Sequence, residues 1–341
     1  MNIIKNLKFR QGSQIEKVYV LLEQGKTEQE IATQLSLDIK KVHSIILWIE
    51  NKSKNNKNDN KETQITFSPQ LPVSDEMKKY IPQQNGYLPR RFGKFTDIEI
   101  LEKCYETKSF VLIYGETGTG KTHLVRDFAF RKHLPYARVN LNGGVTADEL
   151  IGHWVPNPEG GFRWQDGILT TFVRNGGVIA LDEVNSCPAE ILFSLHSLTD
   201  DERTLTLISK DSEVVVAHPN FFLVATMNPD YEGTKPLNAA FKDRFKVKLN
   251  FEYNDKIEKK LISNTKLLDL ADKLRVMKNK GEIVTPISTR MLLYYENNVK
   301  LFSTSLAIDL FLNNFEVYEK EAIKNVIELI GLNQEIIPEV K

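Results

Sequence analysis

The stretch Gly115-Glu116-Thr117-Gly118-Thr119-Gly120-Lys121-Thr122 matches the pattern G-x-x-x-x-G-K-[ST] of a phosphate-binding loop, the P-loop. The apolar run 110–114 before it predicts a strand, and residues 124–129 after it predict a helix. A P-loop needs this strand–loop–helix order, because the loop N–H groups and the helix N-terminus bind the anionic phosphate together. The stretch therefore predicts a nucleotide site within an α/β fold.

Each residue type in this loop has its own expected contact with the nucleotide. Gly118 and Gly120 let the backbone approach the phosphates, Lys121 reaches the β- and γ-phosphates, and the Thr122 hydroxyl ligates Mg²⁺. The nucleotide-binding residues expected in and directly after the loop are Gly115, Glu116, Thr117, Gly118, Thr119, Gly120, Lys121, Thr122 and His123.

A second motif, Val178-Ile179-Ala180-Leu181-Asp182-Glu183, reads as a buried strand that ends in two acids, the Walker B pattern. On this interpretation Asp182 holds the metal, through water, and Glu183 polarises the attacking water. A Glu directly after the metal-binding Asp favours hydrolysis over nucleotide sensing alone. An apolar run that ends in Asp-Glu also occurs at helix N-termini, so the prediction depends on the P-loop that precedes it.

Three further residues are candidates for contact with the γ-phosphate or the lytic water. Asn228 follows the apolar run 221–225, at the end of a strand where a doubly wound sheet presents side chains to its ligand; the alternative is an Asn-Pro turn. Arg244 closes a helix before a strand and suits the charge of phosphoryl transfer in a neighbouring subunit; the alternative is an ion pair with Asp243 or with another acidic residue on its own surface. Arg290 opens a C-terminal helix and either contacts the γ-phosphate or only caps that helix.

Composition adds few constraints on function. Forty-five Lys and Arg residues balance 45 Asp and Glu residues, so no overall field favours nucleic acid or membrane. No apolar stretch approaches the ~20 residues of a membrane helix, and the N-terminus lacks the pattern of a signal peptide. Cys104 and Cys187 are too few for a disulfide framework. These features lead us to expect a cytoplasmic protein with reduced thiols and no membrane contact.

The chain divides at a polar segment. Residues 51–64 hold no large apolar side chain, so we expect a flexible linker over 51–66. It separates a small module, residues 1–50, from a nucleotide-binding α/β domain, residues 67–252. Beyond residue 252 the strand signals stop, and residues 253–341 read as a helical domain.

The N-terminal module has the pattern of three helices. Thr27-Glu28-Gln29-Glu30 is a capping box that begins the second helix, 36–38 is a short turn, and the third helix runs from Ile39 to about residue 50. This arrangement resembles a helix-turn-helix module, in which Lys40, Lys41, His43 and Ser44 would face DNA. Ten basic and seven acidic residues across 1–60 leave a net charge of +3, which is weakly basic. A docking module whose third helix binds protein is the alternative.

The five motifs, in this order, resemble the AAA+ ATPases, specifically the MoxR and CbbQ/NorQ-type branch, which is related to the dynein subfamily. The resemblance covers roughly residues 80–300 and extends to the runs 149–152, 162–169, 200–203 and 217–221. It implies that Asp182 and Glu183 are the Walker B pair, Asn228 sensor 1, Arg244 the arginine finger and Arg290 sensor 2. Two departures are modest: Glu116 stands where many relatives have Pro, and Phe241-Lys242 precedes Asp243-Arg244-Phe245.

The resemblance implies a P-loop AAA+ parallel sheet with a helical lid domain, preceded here by the small all-α helix-turn-helix-like module. It also implies ATP and Mg²⁺ as cofactors, a hexameric homo-oligomer, and a protein client, with a von Willebrand factor A-domain protein as a frequent partner. Two insertions, 152–168 and 204–217, resemble hairpins that relatives place near the pore of a ring, where Trp154 and Trp164 either engage clients or fill the hairpin core. The alternative functions are a DNA-directed motor or regulator guided by residues 1–50, and a nucleotide-gated switch with little turnover.

Overall fold

A computed structural model describes residues 14–55, 71–141, 144–229 and 237–334. The N-terminal module contains three helices: α1 Gln14–Glu23, α2 Glu28–Leu35 and α3 Ile39–Asn55. Both bonds of the predicted capping box are present, because Thr27 accepts from the Glu30 N–H while Glu30 accepts from the Thr27 N–H. The apolar stripes of the three helices form one small core.

The predicted linker begins inside a helix. α3 continues to Asn55, because the run Asn51-Lys52-Ser53-Lys54 contains no Gly or Pro that would end it. Residues 56–66, the rest of that linker, lie outside the described residues, as do the first residues of the predicted α/β domain.

A five-stranded parallel sheet forms the centre of the second domain. Its strands, in chain order, are β3 Val111–Gly115, β4 Tyr136–Asn140, β7 Gly177–Asp182, β10 Phe221–Met227 and β11 Val247–Phe251. The spatial order is β11-β3-β10-β7-β4. All residues of β7 and β10 are buried, as expected for central strands of a sheet with helices on both faces.

Helices and three small hairpins surround this sheet. The hairpin strands are β1 Arg91–Phe92, β2 Phe95–Thr96, β5 Gly152–Pro156, β6 Phe162–Asp166, β8 Thr204–Leu207 and β9 Glu213–Val216. The helices are α4 Asp75–Lys78, α5 Asp97–Glu106, α6 Lys121–Arg131, α7 Ala147–Leu150, α8 Ile168–Asn175, α9 Ala189–Thr199 and α10 Ala239–Asp243. The pairs β5–β6 and β8–β9 match the two insertions predicted from sequence.

Among the residues described after the sheet, five helices share their own core. They are α11 Asp255–Leu261, α12 Thr265–Asn279, α13 Thr289–Leu301, α14 Thr304–Leu312 and α15 Lys320–Ile330. Within the ranges that the structure describes, no helix combines the length and the apolar character that crossing a bilayer requires.

The N-terminal module contacts the second domain at the β8–β9 hairpin. Lys41 Nζ of α3 lies 3.3 Å from Glu213 Oε1, and Val216 packs against the core of the module. Burial alone would raise the pKa of Glu213, but hydrogen bonds from Arg174 and Lys210 lower it to about 2. Lys41 therefore faces an ionised carboxylate of its own chain.

Candidate nucleotide-binding site

A cavity of about 370 Å³ lies where the carboxyl ends of β7 and β10 meet the P-loop, α6 and the lid. This is the edge at which open α/β sheets bind their ligands. The sequence-predicted residues that line it are Thr117, Gly118, Thr119, Gly120, Lys121, Thr122, His123, Asp182, Glu183, Asn228 and Arg290. Most of the candidate site residues are thus brought together. Gly115, Glu116 and Arg244 do not line the cavity.

Glycine is required at two positions of the P-loop. Gly115 has φ +145°, and a Cβ there would lie 2.0 Å from the carbonyl oxygen of Phe251 in the neighbouring strand β11. Gly118 has φ +71°, and a Cβ there would lie 2.7 Å from Ser288 Cβ at the start of α13. The loop is therefore packed between the sheet and the lid helix, with room only for backbone.

The Lys121 ammonium is held by three neutral oxygens. Nζ donates to the carbonyls of Gly115 and Glu116 and to Asn228 Oδ1, each at 2.7 Å. Burial lowers the pKa of Lys121 to about 8, although the carboxylates of Asp182 and Glu183 oppose that shift. A polyanionic ligand would supply the countercharge that these acceptors lack.

Asp182 and Thr122 form the part of the cavity that fits a divalent metal. The Thr122 hydroxyl lies 3.0 Å from Asp182 Oδ2, and the Thr226 hydroxyl donates to Oδ1 at 2.8 Å. Across the described part of the chain, no cluster of three or more His, Cys, Asp or Glu side chains forms a metal cage. Mg²⁺ is usually held by one or two protein oxygens together with nucleotide phosphates and waters, so this oxygen-donor set fits it.

Glu183 has a strained backbone. Its φ is +60°, in the left-handed region that non-glycine residues rarely adopt, and a 3₁₀ turn over Val184–Ser186 follows it. Such a conformation costs about 1–3 kcal/mol and recurs at functional sites. It places the half-buried Glu183 side chain in the cavity wall beside Asp182.

Arg90 is a residue of the site that the sequence did not indicate. Its backbone N–H donates to Asp97, and its guanidinium donates to the carbonyl oxygens of Thr119 and Glu252. The guanidinium also lies 4.6 Å from the ring centroid of Phe251. Arg90 therefore fixes the P-loop backbone against the last strand, and no local motif marks it.

Part of the cavity lining is apolar. The half-buried side chains of Tyr87 and Leu88 contribute to it, together with the lid residues Ile257, Leu261 and Leu293. The amides of Asn85 and Asn254 line the same cavity. An apolar slot with a few amide groups is suited to a flat heterocyclic base.

The side chain of Glu116, a residue predicted to bind nucleotide, contacts the lid. Its Oε1 lies 3.0 Å from Lys278 Nζ of α12, and the Tyr253 hydroxyl donates to the Thr117 carbonyl at 3.0 Å. Buried Glu258 accepts two hydrogen bonds from Arg275 and one from Thr289, the residue before Arg290. The side chain at the position where many relatives have Pro is therefore part of a contact between P-loop and lid.

Arg244 is held by its own chain. Its guanidinium pairs with Asp200 and donates to the His196 carbonyl at 3.2 Å. The structure therefore contains the ion pair that the sequence offered as an alternative, and the partner is Asp200 rather than Asp243. The expectation that Arg244 reaches the nucleotide of a second copy stays a prediction.

The β5–β6 hairpin contains a tryptophan pair, and one of the two tryptophans contacts the β8–β9 hairpin. Trp154 and Trp164 face each other across β5 and β6 with ring centroids 5.6 Å apart, and Trp154 Nε1 donates to the Ser209 carbonyl at 2.9 Å. These contacts fit the interpretation that the tryptophans stabilise the hairpins. Phe162, at the start of β6, is 71% exposed.

The parallel sheet, the P-loop and the acidic strand end define a P-loop nucleotide-binding protein of the α/β class. The chain matches the family model for the AAA domain of the dynein-related subfamily over residues 110–245. Three relatives match the chain at similar identity and over similar lengths. It is 35% identical over 209 residues to protein CbbQ of Hydrogenophilus thermoluteolus, an alignment that spans 58% of this chain and 77% of CbbQ.

The second and third of these relatives are the proteins NirQ and NorQ. The denitrification regulatory protein NirQ of Stutzerimonas stutzeri is 32% identical over 206 residues, covering 58% of this chain and 74% of NirQ. Protein NorQ of Paracoccus denitrificans is 32% identical over 219 residues, covering 61% of this chain and 78% of NorQ. The chain therefore belongs to the AAA+ ATPases of the CbbQ and NorQ type, as its motifs predicted.

Proposed function

We propose that this protein is a Mg²⁺-dependent ATP hydrolase that works as a ring and remodels or activates a protein client. The observation that carries the hydrolase proposal is the convergence of Lys121, Thr122, Asp182, Glu183 and Asn228 on one cavity roofed by the lid. Binding alone would not require a strained carboxylate beside the metal-site aspartate. The arrangement therefore favours turnover over a nucleotide-gated switch.

Each residue has a part in this proposal. The apolar slot of Tyr87 and Leu88 holds the base, and Lys121 with the P-loop N–H groups holds the phosphates. Thr122 and Asp182 would hold Mg²⁺, which would supply positive charge to neutralise the phosphates. Glu183 orients the attacking water and accepts its proton.

The site needs a second copy of the chain on this proposal. Arg290 contributes one guanidinium from the chain's own lid, and a neighbouring subunit supplies Arg244. A guanidinium in this role stabilises the charge that develops as the γ-phosphoryl group is transferred. A hexameric ring is the assembly that the family resemblance implies, because each subunit then completes the site of the next.

We assign client contact to the exposed end of the β5–β6 hairpin. Phe162 leaves most of its ring in solvent beside Gly160 and Gly161, whereas the tryptophans are engaged with each other and with Ser209. Large exposed aromatic side chains are enriched at protein contacts. The resemblance further implies a von Willebrand factor A-domain protein as partner.

Glu183→Gln in the full chain is expected to retain a client in the presence of ATP, because nucleotide stays bound without turnover. The measurement is affinity capture followed by mass spectrometry, with and without ATP. Addition of Phe162→Ala to Glu183→Gln should remove the ATP-dependent protein, whereas Phe193→Ala, another exposed aromatic, should not. Equal capture by both double variants would contradict the assignment of Phe162.

The DNA-directed alternative is disfavoured by the contacts of α3. Lys41 is paired with Glu213, and His43 Nδ1 lies 3.0 Å from Glu28 Oε1. Two of the four residues predicted to face DNA are thus bound to acidic side chains within the chain. Lys40 remains exposed, so a substitution of Lys40 is the most direct single test of DNA binding.

Lys40→Glu is expected to leave binding of a duplex oligonucleotide unchanged, because we propose that the module docks protein. The measurement is fluorescence anisotropy of the full-length protein with ATP, at low and at physiological salt. Lys41 and its contact with Glu213 stay intact in this variant. A wild-type affinity that falls steeply with salt, and is lost in Lys40→Glu, would support DNA binding instead.

A further inference from the structure

Arg138, which the proposed reaction does not use, contacts the metal-site aspartate. Its Nε lies 2.5 Å from Asp182 Oδ2. Strand β4 pairs with β7 so that Arg138 is opposite Ala180 and Asn140 is opposite Asp182. Arg138 is therefore two residues before the position opposite Asp182, and its side chain extends along the strand toward the carboxylate. It lines the same cavity as Lys121 and Thr122.

The two partners differ in exposure. The Asp182 side chain is 4% exposed, whereas that of Arg138 is 58% exposed. A buried carboxylate is costly unless it is paired, and Asp182 has the hydroxyls of Thr122 and Thr226 as its other hydrogen-bond donors. Arg138 thus supplies a positive charge in direct contact with Asp182, from a side chain that is mostly exposed to solvent.

A metal at Thr122 and Asp182 competes with Arg138. The Thr122 hydroxyl lies 3.1 Å from Oδ1 and 3.0 Å from Oδ2, so a metal held by Thr122 would lie beside this carboxylate. Oδ2 is also the acceptor of Arg138 Nε. Two cations at one carboxylate repel each other. Entry of Mg²⁺ therefore favours displacement of the Arg138 guanidinium from Asp182.

We propose that Arg138 is a tethered counterion that balances Asp182 in the nucleotide-free protein and is displaced when Mg²⁺–ATP binds. This inference rests on the proposed Mg²⁺–ATP site and adds a residue that sets its metal affinity. Arg138 acts through Asp182, so it is a positioning residue. With Arg138 in place, Mg²⁺ alone binds weakly, and metal and nucleotide enter together.

The test is a Mg²⁺ titration of the full-length protein with a fluorescent ATP analogue, in wild type and Arg138→Gln. The variant leaves the negative charge of Asp182 unbalanced. The Mg²⁺ concentration for half-maximal analogue binding should therefore fall about tenfold, which corresponds to about 1.4 kcal/mol. In EDTA the same charge repels the phosphates, so analogue affinity should fall several-fold. The variant thus needs less Mg²⁺ to bind the analogue but binds it more weakly without Mg²⁺. A variant that is merely unstable would bind more weakly in both conditions.

Arg126→Gln is the matched control. Arg126 is exposed on α6. Burial is the main cause that lowers the pKa of His123, and the charges of Arg126 and Arg138 both add to this shift. Arg126→Gln therefore removes a nearby positive charge without removing a contact to Asp182. It should weaken analogue binding slightly with and without metal, and leave the Mg²⁺ midpoint in place.

An unchanged Mg²⁺ midpoint in Arg138→Gln, with wild type showing Mg²⁺-dependent binding, would overturn the inference while the proposed function stands. An equal shift in Arg126→Gln would also overturn it, because general charge would then explain the effect. Wild-type protein that binds no analogue at any Mg²⁺ concentration would instead contradict the proposed function itself.

Discussion

Glu183→Gln is expected to lower the rate of ATP hydrolysis about 10²–10⁴-fold while ATP remains bound. The change removes the carboxylate that we propose accepts a proton from the attacking water, but it keeps the size and shape of the side chain. Phosphate contacts made by the P-loop are unaffected, because Lys121 is held by Asn228 and by two backbone carbonyls. The measurements are phosphate release and equilibrium binding of a fluorescent ATP analogue.

Two controls separate loss of the base from loss of the site. Lys121→Ala should abolish binding of the analogue as well as hydrolysis, since it removes the ammonium that contacts the phosphates. Glu76→Gln makes the same chemical change at an exposed position outside the cavity and should hydrolyse ATP normally. Hydrolysis by Glu183→Gln at the wild-type rate would show that another group activates the water.

The parts of the site that the sequence revealed are local motifs. Gly118, Gly120 and Lys121 are required by the loop itself, because backbone conformation and phosphate contact are decided within eight residues. Asp182 ends an apolar run, which predicts a buried strand once the P-loop precedes it. Such signals do not depend on which strands are neighbours, so they can be read without the fold.

The parts that the sequence did not reveal depend on strand order and on the lid. Arg138 meets Asp182 only because β4 lies beside β7, and Leu293 lines the same cavity as Tyr87 only because the lid packs against the α/β domain. The side chain of Glu116 contacts Lys278, which lies on a helix far along the sequence. Pairings of this kind are set by tertiary packing, which single-sequence patterns do not encode.

Assembly is the property on which the proposed mechanism depends most. Arg244→Ala is expected to lower ATP hydrolysis on the order of 10³-fold, by analogy with arginine fingers, which corresponds to about 4 kcal/mol of barrier. Within its own chain Arg244 pairs with Asp200 and the His196 carbonyl, at the end of α9 and outside the nucleotide cavity. We therefore expect Arg244 to act on the nucleotide of a second copy. Lys242→Ala, two residues earlier and exposed, is the matched control and should retain activity.

Mixing two inactive variants tests whether Arg244 acts in trans. Arg244→Ala keeps an intact P-loop, and Lys121→Ala keeps an intact Arg244, so a mixed ring contains some sites with both groups. ATP hydrolysis should reappear on mixing and reach a maximum at intermediate ratios, whereas each variant alone stays inactive. If Arg244 only stabilised its own subunit through Asp200, mixing would restore nothing, and Asp200→Asn would lower activity as much as Arg244→Ala. A strictly monomeric wild-type protein with full ATPase activity would contradict the ring, because no neighbour would then be present to supply the guanidinium.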